Sequence, residues 1–209
     1  MTFKQPKKYG LYDASQEKDS CGVGFVANIR GVSSRAIVTD ALNMLERMDH
    51  RGAYGAEKNT GDGSGILVAM PESFIRRIVA ETFDRSLPEI GAFGVGMFFL
   101  PRESEFLEKF ERKFKSLARE ANVEVLGWRE VALDSETADL GPTALNSMPS
   151  IRQVIVEDLA PGKSCFERRL FALRKRLRNH YAGYEEENGD PLIYCVSMSS
   201  RTLIYKGML

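Results

Sequence analysis

Cysteine and histidine are scarce in this chain, with three cysteines and two histidines among 209 residues. Cys21, Cys165 and Cys195 are widely spaced, and no C-x-x-C pair occurs. Neither a disulfide framework nor a zinc site of the usual ligand spacing is therefore expected. An excess of either charge is also lacking, because 29 Lys and Arg balance 29 Asp and Glu. No nucleic-acid partner is expected from that balance. No apolar run approaches the roughly 18–20 residues a membrane helix needs, so no membrane partner is expected either. The N-terminus carries positive charges without an apolar stretch behind them, which is not the pattern of a secretory signal. Internal repeats and low-complexity tracts are absent from the sequence. What remains is an ordinary globular composition, 43% hydrophobic and 28% charged, expected in the cytoplasm and long enough for one sizeable domain.

Residues 1–20 are polar and without periodicity, and they read as a leader or arm. The character changes at Cys21, where C-G-V-G-F-V-A-N-I predicts a strand. Ser33 or Ser34 then caps a helix whose stripe is Ile37, Val38, Ala41, Leu42, Leu45 and Met48. Residues 49–65 form a long loop rich in glycine. A buried strand over 66–70 follows, then a helix entered at Pro71 with Phe74, Ile75, Ile78 and Val79 inward. Residues 92–100 predict a strand in which large residues alternate with Ala92, Gly94 and Gly96, so that another layer can come close on one face. A helix from about 103 carries Leu107, Phe110, Phe114, Leu117 and Ala121. Strands over 123–131 and 151–156, the latter alternating in polarity, flank a polar loop at 133–150. A helix from 164 opens with the capping box Ser164 and Glu167. Its outer face, with Arg168, Arg169, Arg174, Lys175, Arg176 and Arg178, reads as solvated rather than as a partner surface. Residues 192–199 and 202–205 predict two last strands.

The chemistry concentrates at Cys21 and in the loop. If the bond before Cys21 is cut, its thiol gains a free α-amine that titrates near ~8 when unperturbed. That amine can take the thiol proton directly or through one water, so no histidine base is needed. The competing reading is a buried structural cysteine, which residue type alone favours. H-R-G at 50–52 sets a cation and a flexible hinge after a helix. T-G-D-G-S-G at 60–65 offers glycines for close backbone approach and Asp62 to hold an ammonium. It is not a phosphate loop, because the Gly-x4-Gly-Lys pattern is absent and no helix follows.

Together, L-Y-D-x7-C-G-V-G-F-V-A, L-E-R-M-D-H-R-G-A and K-N-T-G-D-G-S-G-I-L resemble, in order and spacing, the start of the glutamate synthase large subunit. G-W-R-E-V at 127–131, S-M-P-S-I-R-Q at 147–153 and S-S-R-T-L-I-Y-K-G-M at 199–208 match as well. The resemblance covers essentially the whole chain. H-R-G alone is shared by the wider class II glutamine amidotransferases.

The resemblance implies an α+β fold, the four-layer αββα sandwich of N-terminal-nucleophile hydrolases, incomplete here. It implies a leader at 1–20 that is removed, and the N-terminal part of a class II amidotransferase domain at 21–209. Cys21 would attack the side-chain amide of glutamine, with its α-amine as base. Arg51 and Gly52 would shape the pocket, and the loop with Asn59, Asp62 and Gly63 would support it. No cofactor is implied on this chain; FMN and an iron-sulfur cluster belong to the synthase portion, where the ammonia aminates 2-oxoglutarate. The implied partners are the remainder of the large subunit and a small subunit. The electron donor stays open between NADPH, NADH and ferredoxin.

The family's glutamine-clamping H-Q-R-[YF]-S-T-N and its oxyanion-hole H-N-G-E-I-N would fall after Leu209. The expectation is therefore a truncated domain with little or no glutaminase activity alone. Two other readings are another class II amidotransferase and an inactive binding or assembly module of the same fold.

Overall fold

The computed structural model describes residues 22–48, 63–134, 140–162, 165–183 and 193–208. The chain divides into two compact units, Met1–Ala53 and Tyr54–Leu209.

In the first unit a single helix, α1 (Arg35–Glu46), is capped by Ser34, whose Oγ accepts from the Ile37 amide at 3.4 Å. Of the expected stripe, Ile37, Val38, Ala41, Leu45 and Met48 are half-buried, joined by Met44, whereas Leu42 is exposed. The strand expected from Cys21 onward is not found over residues 22–29. A strand is defined by its ladder, and among the described residues nothing pairs with this segment. Val23 and Phe25 stand 89% and 90% exposed. Gly24 nevertheless lies against α1: a Cβ there would come within 2.3 Å of the Met44 sulfur.

The second unit contains β1 (Gly63–Ala69), α2 (Glu72–Phe83), β2 (Phe93–Leu100), α3 (Ser104–Glu120), β3 (Val123–Glu130), α4 (Pro142–Ser147), β4 (Ser150–Asp158), α5 (Phe166–His180), β5 (Tyr194–Ser199) and β6 (Thr202–Met208). Four strands pair antiparallel in the order β3-β4-β2-β5, and β1 pairs antiparallel with β6 in a second sheet. The architecture is thus a mixture of helices and antiparallel sheets, an α+β fold.

The four-stranded sheet is buried on both faces. On one side, Phe110, Phe114 and Leu117 of α3 and Leu170, Leu173 and Leu177 of α5 pack on Phe98, Val154, Val156 and Met198. Phe98 meets Phe110, Phe114 and Trp128 with ring centroids 5.5, 5.8 and 5.7 Å apart, in tilted and edge contacts that suit the ring quadrupoles. On the other side, Phe93, Val95 and Ile155 pack with Ile75 and Val79 of α2 and with Leu203 of β6. The small residues of β2 let these layers close, since a Cβ on Gly94 would lie 2.9 Å from the Leu170 side chain.

Several expectations need correction, each for a physical reason. β1 starts three positions early, at Gly63, and alternates exposed and half-buried residues instead of being buried throughout. Among the described residues of this unit nothing covers one face of its two-stranded sheet, leaving Leu67 64% exposed. Phe74 is exposed rather than inward, with the Arg77 guanidinium over its ring at 5.7 Å. β4 does not alternate: Gln153, Val154, Ile155 and Val156 are all buried, as a strand between two cores requires. The polar loop at 133–150 contains α4, begun by Gly141 and by Pro142 in the first turn. Six residues are too few to show helical periodicity, and only the proline signalled it.

The expected capping box falls partly on residues that the structure does not describe. Ser164 lies outside the described residues, the N-cap of α5 is Cys165 without a side-chain bond, and Glu167 binds elsewhere. Nor is the basic face of α5 wholly solvated. Arg169 is 12% exposed and ion-paired with Asp158, which is 7% exposed. It also donates to the carbonyls of Ala121 and Asn122, at 3.3 and 2.7 Å.

Candidate functional site

Cys21, Arg51, Gly52, Asn59 and Asp62 lie outside the described residues; of the expected site residues, only Gly63 is described. Gly63 opens β1 opposite Met208, so the glycine-rich loop delivers the chain directly into the β1–β6 ladder. Ser64 then faces Gly207, and Gly65 faces Lys206. Close approach explains one glycine of T-G-D-G-S-G: a Cβ on Gly65 would sit 2.5 Å from the Tyr205 carbonyl oxygen. Gly63 is less constrained, with the Gly207 carbonyl at 3.6 Å from such a Cβ.

Two polar anchors from residues far away in sequence help hold β6 in the second unit, beside the bond of the Ile204 amide to Ser197 Oγ at 3.4 Å. The first is at the β5–β6 turn, where the chain passes from the four-stranded to the two-stranded sheet. There one carboxylate oxygen of Glu167 accepts from the Ser200 amide at 2.9 Å and the Ser200 hydroxyl at 2.7 Å. The second is a side-chain chain across the sheets. Arg129 Nε donates to Gln153 Oε1 at 2.7 Å, and Gln153 Nε2 donates to the Tyr205 hydroxyl at 3.3 Å. Neither anchor was anticipated from the residues. Glu167 suits a helix cap, and Gln153 stands beside an apolar run, V-I-V, that gives no sign of its hydrogen-bond partners.

Burial pushes the Glu167 carboxyl upward, but hydrogen bonds from Ser199 and Ser200 and the charge of Arg201 outweigh it, holding the group below its ordinary 4.5. A depressed folded value means the unfolded chain binds this proton more readily. The stabilisation from Glu167 is therefore complete above about 4.5 and is lost as pH falls through the depressed value. Denaturant titrations between pH 6 and 3 are expected to show E167Q less stable than wild type at pH 6 and less sensitive to acid. Equal acid sensitivity of the two proteins would count against this role.

The described cysteines offer no reactive thiolate cluster. Burial, opposed by Arg174, pushes the Cys195 thiol up to about 12, the state of an inert core thiol. Among the described residues no group of three or more His, Cys, Asp or Glu is placed to hold a metal ion. An iron-sulfur cluster takes four thiolates as a rule, and three cysteines in the whole chain do not fit one. No helix among the described residues is long and apolar enough to cross a membrane.

The α+β unit, with its Gly-rich loop running into β1, agrees with the sequence comparisons. The chain matches the family described as glutamine amidotransferases class-II over residues 21–209, and it belongs to that family. Along its length it is also similar to glutamate synthases. It is 38% identical over 213 residues to the glutamate synthase (NADPH) large chain of Bacillus subtilis, a match covering 100% of this chain and 13% of that one. Against glutamate synthase (NADH) of Saccharomyces cerevisiae it is 39% identical over 214 residues, covering 98% and 10%. Against the ferredoxin-dependent glutamate synthase 1 of Arabidopsis thaliana it is 36% identical over 207 residues, covering 98% and 12%. The chain therefore spans only about an eighth or less of the length of these curated relatives.

Proposed function

We propose that this chain is the glutamine-splitting part of a glutamate synthase, releasing ammonia and glutamate from glutamine. The observation that carries the reading is the family match from residue 21 onward, combined with similarity along nearly all of this chain to glutamate synthases named for different electron donors. In this reading residues 1–20 are a leader whose removal leaves Cys21 as the N-terminus of the domain at 21–209. The freed α-amine accepts the thiol proton, and the sulfur attacks the side-chain amide carbon of glutamine. The amine returns the proton to the departing nitrogen, which leaves as ammonia while a γ-glutamyl thioester remains. Water then attacks the thioester, restoring the thiol and releasing glutamate. Arg51 and Gly52 shape the pocket around this terminus, and Asn59, Asp62 and Gly63 support it.

The finer fold in this reading is the four-layer αββα sandwich of N-terminal-nucleophile hydrolases. The four-stranded sheet with α3 and α5 supplies one helical and one sheet layer, and β1–β6 belongs to the second sheet. The open face of that sheet, where Leu67 stands 64% exposed, is the surface an outer helical layer covers. FMN and an iron-sulfur cluster are assigned to synthase regions outside this chain, where they supply the electrons that turn ammonia and 2-oxoglutarate into glutamate. The remaining large-subunit chain and a small subunit are the corresponding partners, and the cytoplasm the corresponding compartment.

The test is direct. The full-length protein is expected to release glutamate and ammonia from glutamine in equal amounts, and its N-terminus to begin at Cys21 by intact mass. Glutamine turnover by a protein that keeps residues 1–20 would overturn the proposed nucleophile.

A further inference from the structure

Three segments that single this sequence out meet at one point inside the second unit. G-W-R-E-V contributes Arg129 from β3, S-M-P-S-I-R-Q contributes Gln153 from β4, and the closing strand contributes Tyr205 from β6. Arg129 and Gln153 are directly opposite in the β3–β4 ladder, and Met97 faces Gln153 from β2. The Gln153 side chain belongs to a residue with 0% exposure, so its amide depends on protein partners for every hydrogen bond. Leaving such a group unpaired is destabilising.

The direction of this chain of bonds is fixed by chemistry. A guanidinium can only donate, so the Gln153 oxygen must face Arg129. The amide nitrogen is then turned toward Tyr205 and donates to its hydroxyl. Arg129 polarises the amide and strengthens its bond to the tyrosine. A leucine in place of Gln153 would fill the same space without choosing any rotation of β6. The polar pair chooses one, because hydrogen bonds weaken steeply with angle and distance.

Tyr205 is also well placed for leverage. It pairs with Ile66, and beyond it the ladder runs through Lys206, Gly207 and Met208 to Gly65, Ser64 and Gly63. The turn at the other end of β6 is already held by Glu167. Leu203 is fully buried and the Ile204 amide bonds to Ser197 Oγ, so the tyrosine is the fixed point of β6 farthest toward Gly63 among these.

We propose that Arg129, Gln153 and Tyr205 form a positioning device that sets the Gly63 end of the β1–β6 ladder against the four-stranded sheet. They are positioning residues for glutamine hydrolysis, acting through the ladder without touching the substrate. This rests on the reading of the chain as a glutaminase, and it adds residues to that machinery.

The experiment compares Y205F, Q153L and Q153E with wild type in the full-length protein. Y205F deletes one oxygen and keeps the ring. Q153E keeps both bonds, accepting from Arg129 and from the tyrosine hydroxyl. Expected are a kcat for glutamine hydrolysis lowered about 10-fold to 100-fold in Y205F and Q153L, with KM within about twofold. Q153E is expected to stay near wild type, and the melting temperature of Y205F to fall by only several degrees, the effect of one lost buried hydrogen bond in a protein that still folds. Hydrogen exchange at the amides of residues 63–67 and 204–208 is expected to quicken in Y205F, a readout that needs no catalysis. Unchanged kcat together with unchanged exchange in Y205F overturns the proposal, as does a Q153E protein no better than Q153L. Absence of glutaminase activity in wild type would instead refute the functional reading, and the exchange measurement would still decide the positioning claim.

Discussion

Replacing Cys21 with alanine is expected to abolish glutamine hydrolysis, lowering kcat by a factor on the order of 10⁶. The size follows from the role proposed for the residue. Without the sulfur no thioester forms, and an α-amine alone has no nucleophile to activate. Serine at this position keeps a proton for the amine to take, but a hydroxyl is far harder to ionise than a thiol whose ordinary pKa is about 8.5. C21S is expected to retain a trace of activity above C21A. The measurement is glutamate release by the purified full-length protein, with intact mass recording both the N-terminus and any γ-glutamyl adduct on the wild-type cysteine. A C21A protein with a tenth of wild-type turnover would remove Cys21 from the mechanism. Cys195 is a poor substitute on structural grounds, since it is half-buried and burial pushes its thiol up to about 12.

The second large effect concerns folding. R169A is expected to destabilise the protein by about 3–5 kcal/mol, because it strands a buried carboxylate instead of removing a matched pair. Asp158 is only 7% exposed; its carboxylate also accepts from the Ala160 amide at 2.7 Å. Arg169 further supports the carbonyl of Asn122, which turns the chain from α3 into β3 with φ of 53°. A residue other than glycine held in that region needs external support. The melting temperature is expected to fall by about 10 °C. D158A in the R169A background is expected to cost little more, since the partner charge has already lost its mate. Additive effects of the two substitutions would sink the coupling. R168A on the same helix, at an exposed residue, serves as the surface comparison and is expected to change stability by less than about 0.5 kcal/mol.

Helical periodicity made α3 legible almost residue by residue: Leu107, Phe110, Phe114 and Leu117 are buried, and Ala121 packs partly against them. The same was true of the α5 stripe and of the Ser34 cap. Strand burial was harder to read, because alternation reports one covered face whereas β4 has two. Gln153 looked like the polar half of an alternating strand and proved to be fully buried. The functions of Glu167 and Arg169 depend on partners far away in sequence, Ser200 for one and Asp158 for the other, which local spacing cannot encode. For the glycine-rich segment proposed to support the nucleophile the balance is reversed. Its residues were recognisable by their order and spacing, and only Gly63 among them falls in the described structure.

The β1–β6 ladder has a consequence for the order of assembly. It joins residue 63 to residue 208, so nearly all of the second unit must be synthesised and folded before its strands can meet. Local pairs come early and distant ones late, because the cost of closing a long loop precedes any reward from contact. The strand into which the glycine-rich loop feeds is therefore among the last parts to settle.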